Sequence, residues 1–207
     1  MVVDMVLVIL ILMMAIVLHE VAHGWMANQL GDPTAKMMGR LTLNPLKHVD
    51  PMGTLIVPGV LITLSMMGVP TVIFGWAKPV PVNFSRLRHP RQDMMWVALA
   101  GPAVNIGLAF LLLVLLKSGI FPVLNDVLIT GILINFILAI FNMIPIPPLD
   151  GSRVLLRFLP DALAAPYARL EPYGLLLVVL ALYLGLFQEV VLPIILALGR
   201  FLGVSFI

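Results

Sequence analysis

Six apolar runs, of which the last two are short, occupy most of the chain and leave few charged residues to face water. They cover residues 2–18, 52–76, 94–116, 127–144, 175–187 and 190–207. The chain is 61% hydrophobic and 11% charged, whereas a soluble domain carries about 25% charged residues. So sparse a polar surface cannot cover a soluble globule of this size, and the runs are predicted to face lipid. The predicted fold class is an all-α, multi-pass membrane protein with a bundle of about five to six hydrophobic segments.

Length and charge restrict the organisation further. The 207 residues suit one integral-membrane domain over residues 1–207, with a core at 2–157 and C-terminal helices at 174–207. A net charge of +2 gives no support to a nucleic-acid partner. The chain has no cysteine, so a metal would have to be held by His, Asp, Glu or water.

Two polar stretches between the runs carry short extended patterns. One is Leu-Thr-Leu at residues 41–43, and the other is Pro-Val-Pro-Val-Asn at residues 79–83. Both are predicted to form short β-strands at the membrane surface. His48 and His89 lie in these polar regions, and we expect both to be solvated.

Residues 19–23 read His-Glu-Val-Ala-His, which matches His-Glu-x-x-His. On a helix His19 and His23 lie one turn apart on one face, so both can reach one Zn²⁺ at about 2.0–2.1 Å. Glu20 can hold a water molecule beside the ion and take its proton. The alternative is that the two histidines and the acid lie on a solvent-exposed helix surface and have no function. The seventeen residues before the motif, however, carry only one charge, that of Asp4. Ionisable groups at membrane depth are costly and usually functional, so the pattern favours metal-assisted peptide hydrolysis with one zinc per chain.

A third ligand must come from elsewhere, because Met26 and Gln29 stand where some soluble zinc proteases continue the motif toward a third His. Asp150 is the best candidate, since it follows a long apolar run and a proline cluster. Prolines prevent regular helix there, and irregular backbone at membrane depth survives where it lines a cavity or is buried in protein. The alternative is that Asp150 caps the following helix.

Three separated motifs resemble the site-2 protease family of intramembrane zinc metalloproteases. They are His-Glu-Val-Ala-His at 19–23, Gly-Pro-Ala-Val-Asn at 101–105, and the segment from Asn142 through Pro145 to Leu-Asp-Gly at 149–151. Residues 39–45 and 75–81 further resemble the small bacterial and archaeal members. The resemblance covers about residues 2–157, and no segment is large enough for the PDZ or CBS domains of some members.

The resemblance implies roles for individual residues. His19, His23 and Asp150 would bind zinc, and Glu20 would be the catalytic base. Asn142 would help to hold the substrate strand or the oxyanion, and Asn105 is a second candidate for substrate binding. The expected substrates are membrane proteins that are cleaved within or near their transmembrane segments.

The shared metal also constrains the topology. The ligands lie near the ends of the first and fourth runs, so both ends must lie on one side of the membrane. A crossing by residues 52–76 would separate them, so this run, rich in Gly and Pro, is predicted to be re-entrant. In this topology ten basic residues lie on the side of the predicted ligands, and only Lys117 lies on the other side. Arg200, within the last run, is assigned to neither side. These ten are Lys36, Arg40, Lys47, Lys78, Arg86, Arg88, Arg91, Arg153, Arg157 and Arg169. Their excess marks the cytoplasmic side, so the active site is expected to face the cytoplasm of a prokaryotic cell.

Other functions remain compatible with some of these features. A transporter or channel could use His19, Glu20, His23 and Asp150 as a cation path, but it has no need of His-Glu-x-x-His spacing. The presence of Glu20 argues against a non-catalytic zinc-binding scaffold. A membrane-tethered peptidase would need a soluble catalytic domain, for which the sequence has no segment.

Overall fold

The computed structural model describes residues 2–69, 71 and 74–206, and Pro70, one of the residues expected to break the second run, lies outside them. The structure is 75% helical, and its described residues contain no strand, which confirms the all-α prediction. The α-helices are α1 (Val2–Gln29), α2 (Thr34–Met37), α3 (Val57–Met66), α4 (Pro90–Ser118), α5 (Asn125–Asn142), α6 (Asp150–Phe158), α7 (Asp161–Ala168), α8 (Gly174–Tyr183) and α9 (Leu192–Leu202). Single 3₁₀ turns lie at Pro45–Lys47, Phe84–Arg86, Pro122–Leu124 and Glu171–Tyr173, and π-helical turns at Pro51–Ile56 and Phe187–Val191.

Four helical segments in the described part of the chain are long and apolar enough to cross a membrane. They are Val3–Gln29, Pro90–Ser118, Pro122–Asn142 and Asp161–Tyr183. The 28 residues of α1 extend for about 42 Å at 1.5 Å per residue, which exceeds the roughly 30 Å hydrocarbon core of a bilayer. The protein is therefore an integral membrane protein.

Helices α1, α4 and α5 form the centre of the bundle. Asn105 of α4 reaches the carbonyl of Ala15 in α1, and Gly131 of α5 lies against Ile11 of α1 and Leu112 of α4. Along this contact α4 runs antiparallel to both α1 and α5, so the C-terminal ends of α1 and α5 lie on the same side. Small residues at such contacts, including the fully buried Ala109, let helix backbones approach closely in a membrane.

The second apolar run leaves this bundle and returns to the same end. Its helix α3 continues directly from the preceding π-helical turn, and the two together run from Pro51 to Met66. These residues extend for about 24 Å at 1.5 Å per residue, which is less than the roughly 30 Å that a crossing requires. At its base the amide of Trp76 donates to the carbonyl of Gly53 at 3.1 Å. The hydroxyl of Thr54 donates to the carbonyl of Trp76 at 2.9 Å. This hairpin course agrees with the predicted re-entrant loop.

The predicted short strands are wrong: residues 41–43 and 79–83 are irregular. In the second stretch the amides serve separate partners instead of one neighbouring strand. Val80 donates to the carboxylate of Glu20, and Asn83 donates to the carboxylate of Asp32. Pro79 and Pro81 have no amide hydrogen to give, so a regular ladder cannot form here.

Candidate active site

His19 and His23 lie one turn apart on α1, and both face Asp150. Their Nε2 atoms are 3.0 Å apart. The Oδ2 atom of Asp150 lies 3.2 Å from the Nε2 of His19, and its Oδ1 atom lies 3.3 Å from the Nε2 of His23. The structure thus brings together the three predicted ligands, which are 131 residues apart in the chain at their extremes.

Asp150 reaches this position because the chain between α5 and α6 is irregular. Helix α5 ends at Asn142, and Pro145, Pro147 and Pro148 prevent regular helix in the segment that follows. The hydroxyl of Tyr167 donates to the carbonyl of Pro145 at 2.9 Å. Asp150 is the first residue of α6, and Leu149, not Asp150, occupies the N-cap position. The carboxylate therefore faces the two histidines and does not cap the helix, while the positive end of the helix dipole favours its charge.

Hydrogen bonds on the far side of each imidazole fix the ring. The Nδ1 of His19 lies 2.6 Å from the Oδ1 of Asn105, and the Nδ1 of His23 lies 2.7 Å from the carbonyl oxygen of Val97. A carbonyl oxygen can only accept, so each Nδ1 carries the proton. In the neutral imidazole each Nε2 atom then presents a lone pair toward Asp150.

A zinc ion fits this group of atoms. Two imidazole lone pairs and a carboxylate are all acceptors, and Oδ2 of Asp150 is buried without a hydrogen bond. Acceptors that face each other in a buried site need a cation between them. Ligand atoms of a tetrahedral zinc at about 2.1 Å lie about 3.4 Å from one another, which is close to the 3.0–3.3 Å separations observed here.

Gly101 of α4 covers the cluster. A Cβ atom at this position would lie 2.5 Å from the Nε2 of His23 and 2.7 Å from the Cε1 of His19. Side-chain atoms do not approach each other so closely, so α4 can lie over the imidazoles because residue 101 has no side chain. The Gly-Pro-x-x-Asn motif therefore supplies both this close approach and the Asn105 contact.

Glu20 is half-buried next to His19 in the chain, and a backbone amide from a different segment holds its carboxylate. Its Oε2 accepts a hydrogen bond from the amide of Val80 at 2.7 Å. Arg40 supports this segment from behind, since its guanidinium donates to the carbonyls of Lys78 and Pro79 at 2.9 and 3.3 Å. Gly24, one turn after Glu20, leaves room for the side chain of Val80. One carboxylate oxygen of Glu20 is thus held by the backbone.

The two predicted substrate-binding residues have different surroundings. Asn142 lies at the end of α5 and donates to the carbonyl of Leu138 at 2.9 Å, and its role toward substrate stays a prediction. Asn105 is completely buried behind His19. A substrate strand has no access to its amide in this structure.

Sequence reasoning missed three contributors to the site. The backbone donor at Val80 and the backbone acceptor at Val97 have no side-chain signature. Asn135, which is hydrogen-bonded to Asn105, could have been recognised from the sequence, because a polar amide inside an apolar run is costly and indicates a specific role.

A family model and several curated proteins match this chain. The model of the family described as Peptidase family M50 matches residues 123–186, which include Asn142 and Asp150 but not the motif of α1. YwhC of Bacillus subtilis, a candidate zinc metalloprotease by name, is 37% identical over 176 residues, covering 80% of this chain and 75% of YwhC.

Two further relatives carry the same description. Rip2 of Mycolicibacterium smegmatis is 34% identical over 174 residues, which cover 82% of this chain and 64% of Rip2. MJ0611 of Methanocaldococcus jannaschii is 48% identical over 62 residues, which cover 28% of this chain and 31% of that protein. No solved structure matches the chain at a comparable level of significance. The similarity to YwhC spans most of both proteins, and the chain belongs to peptidase family M50, the site-2 protease family.

Proposed function

We propose that the protein is an intramembrane zinc metalloprotease that cleaves membrane proteins within or beside their transmembrane segments. In this proposal His19, His23 and Asp150 hold one zinc ion, and Glu20 is the general base. The observation that carries it is the buried group of acceptors, aimed at one point, with a half-buried carboxylate beside it. Family membership favours a protease over a transporter or an inert scaffold.

Zinc bound to these three residues would polarise the substrate carbonyl and make a water molecule acidic near neutral pH. Glu20 takes the proton of that water through Oε1 and then gives it to the leaving amine. The amide of Val80 keeps the carboxylate in place during both transfers. Asn105 and Val97 hold the imidazoles so that their Nε2 atoms stay directed at the metal.

The depth of the site supports cleavage near transmembrane segments. His19 and His23 lie within Val3–Gln29, a helix that is long and apolar enough to cross a membrane. Peptide bonds of a transmembrane helix are hydrogen-bonded within the helix. A substrate must therefore unwind locally before its backbone can reach the site, and helix-breaking residues near the cleaved bond would help.

We propose that the site opens toward the cytoplasm. The side chain of Lys117 lies near Gly203, which assigns the end of α9, and with it Arg200, to the side of Lys117. Ten basic residues then lie on the side of Asp150 and two on the other. Short loops rich in Lys and Arg remain in the cytoplasm.

The catalytic proposal is tested by Glu20→Gln, with zinc content and cleavage of a model transmembrane substrate both measured in detergent. We expect about one zinc per chain to remain, and cleavage to fall by about 10²–10⁴-fold, the usual contribution of a general base. The matched control is Glu189→Gln, the same change at an exposed position of the C-terminal region, which should cleave normally. Full turnover by Glu20→Gln would exclude this role, and a wild-type protein without zinc would exclude the metal site.

The orientation is tested with single cysteines, because the natural chain has none. Ser85 and Ser118 are both exposed and lie at opposite ends of α4, so Ser85→Cys and Ser118→Cys are a matched pair. In intact cells an impermeant thiol reagent should label the cysteine at 118 and reach the one at 85 only after lysis. Labelling of residue 85 from outside would reverse the proposed orientation.

A further inference from the structure

Two buried asparagines connect the three central helices behind the metal ligands. Asn105 of α4 and Asn135 of α5 are 0% and 1% exposed. The Nδ2 of Asn105 donates to the Oδ1 of Asn135 at 3.0 Å and to the carbonyl of Ala15 at 3.3 Å. The Nδ2 of Asn135 donates to the carbonyl of Gly131 at 2.9 Å. A polar pair in an apolar bundle is expensive unless its groups are satisfied.

The backbone carbonyls of Gly131 and Ala15 determine how the side-chain amides of the two asparagines are oriented. Gly131 can offer only an oxygen, so Asn135 must turn its NH₂ group toward it and its Oδ1 toward Asn105. Asn105 then meets two acceptors, the oxygens of Asn135 and Ala15, and must turn its own NH₂ group to both. Its Oδ1 therefore faces His19. A flipped amide would set oxygen against oxygen at two contacts.

We infer that Asn105 and Asn135 are positioning residues that hold His19 in the tautomer with the proton on Nδ1. This inference rests on the proposed zinc site, since its purpose is to keep the Nε2 of His19 free as a ligand. His19 needs such a device because its partner is a side-chain amide, which can present either a donor or an acceptor. His23 does not, because its partner is the backbone carbonyl of Val97.

The test compares two substitutions of Asn105 in the full-length protein in detergent. Asn105→Asp keeps an oxygen acceptor for the Nδ1 proton, whereas Asn105→Leu fills a similar volume with an apolar side chain. For the positioning role, Asn105→Leu should weaken zinc binding by about 10–100-fold, as loss of a contact behind a metal ligand does. Asn105→Asp should lose stability, because its second oxygen would face the oxygens of Asn135 and Ala15. It keeps the acceptor for the Nδ1 proton, however, and should bind zinc more tightly than Asn105→Leu. A packing role would give the reverse order, because a buried charge is costly in an apolar bundle and leucine is not.

Two readouts separate this inference from the proposed function. Zinc affinity is measured by competition with a chromophoric chelator. The tautomer is measured on the metal-free protein from the ¹⁵N shifts of its four histidines, with His19→Gln used to assign His19. We expect the Nδ1–H form in the wild type and in Asn105→Asp, and a mixture of tautomers in Asn105→Leu.

Asn135→Leu tests the second member of the pair. It removes one of the two acceptors that orient Asn105, so we expect a smaller loss of zinc affinity, about 3–10-fold, within the range for outer contacts. Thr130→Val on the same helix is the control, because Thr130 is half-buried and its hydroxyl donates to the carbonyl of Asp126 within α5. An unchanged His19 tautomer and unchanged zinc affinity in Asn105→Leu would overturn the inference. A wild type with the Nδ1–H tautomer but no zinc binding would instead overturn the proposed metal site.

Discussion

The metal-ligand side and the Glu20 side of the site are built from different kinds of structure. On the ligand side, helices α1 and α4 hold the imidazoles of His19 and His23 through buried hydrogen bonds. On the other side, Glu20 is held by one amide of an irregular segment that follows the α3 hairpin. The first side depends on helix packing, and the second depends on the course of a loop.

This difference indicates which property each side controls. A change that alters helix packing should alter metal binding and therefore every later step. A change in the segment around Val80 should leave the metal in place and alter the proton transfer through Glu20. Zinc affinity and turnover, measured on the same variants, can therefore separate the two sides.

The largest effect on zinc affinity is expected from Gly101→Ala on the ligand side. The added methyl group would lie 2.5 Å from the Nε2 of His23 and 2.7 Å from the Cε1 of His19. Overpacking of this kind costs about 1–3 kcal/mol, which corresponds to a loss of up to about 100-fold in zinc affinity. Cleavage should fall by at least the same factor. Zinc affinity is measured by chelator competition, and cleavage with a model substrate.

Gly107→Ala is the matched control for this variant. It makes the same change on the same helix, but a Cβ at residue 107 would meet no atom within 4 Å. We expect wild-type zinc binding and cleavage. If both variants lose zinc to the same extent, helix propensity and not contact with the imidazoles is responsible.

The next effect is expected from Val80→Pro on the Glu20 side. Proline has no amide hydrogen, so Oε2 of Glu20 loses its partner, and the carboxylate is free to rotate away from the water. A misplaced catalytic group can cost about 100-fold in rate, so kcat should fall by about that factor. Zinc affinity should remain within about threefold of the wild type, since the imidazoles of His19 and His23 are held by Asn105 and Val97 and not by Val80.

Val80→Ala separates the amide from the side chain. The alanine variant keeps the donor to Glu20 but removes two methyl groups from a buried position. Its kcat should stay close to the wild-type value, although its stability should fall. An equal loss of kcat in both variants would show that packing of the Val80 side chain, and not its amide, holds Glu20.

The same contrast explains what the sequence could predict. His19 and His23 are four residues apart on one helix, so their common face follows from helix geometry alone. The membrane helices follow from long apolar runs, and Asp150 from a carboxylate placed after prolines. A re-entrant course of residues 52–76 could be inferred because the ends of the first and fourth apolar runs, which carry the predicted metal ligands, had to lie on the same side of the membrane.

The Glu20 side was less predictable because its contacts are made by the backbone. The amide of Val80 leaves no mark on the side-chain pattern, and the alternation of residues 79–83 favoured strands that do not form. His48 was expected to be solvated, but it is 3% exposed, and its Nε2 lies 2.9 Å from the carbonyl of Thr42. The expectation for His89 is consistent with its largely exposed side chain. Polar loops of this protein fold against the bundle, and local composition does not reveal it.

The smallest effect is expected from Gly53→Ala, which acts on the Glu20 side from a distance. A Cβ at residue 53 would lie 2.3–2.4 Å from atoms of the Trp76 indole, so the hairpin cannot close as it does now. Trp76 precedes Val80 by four residues, and the displacement should reach Glu20 only in part. A cost of about 1 kcal/mol at Glu20 corresponds to about fivefold in kcat, without loss of zinc. Gly59→Ala in the same segment meets no atom within 4 Å and should leave kcat unchanged. A loss of zinc affinity in Gly53→Ala would mean that the hairpin also supports the metal ligands, and the two sides of the site would then not be separable.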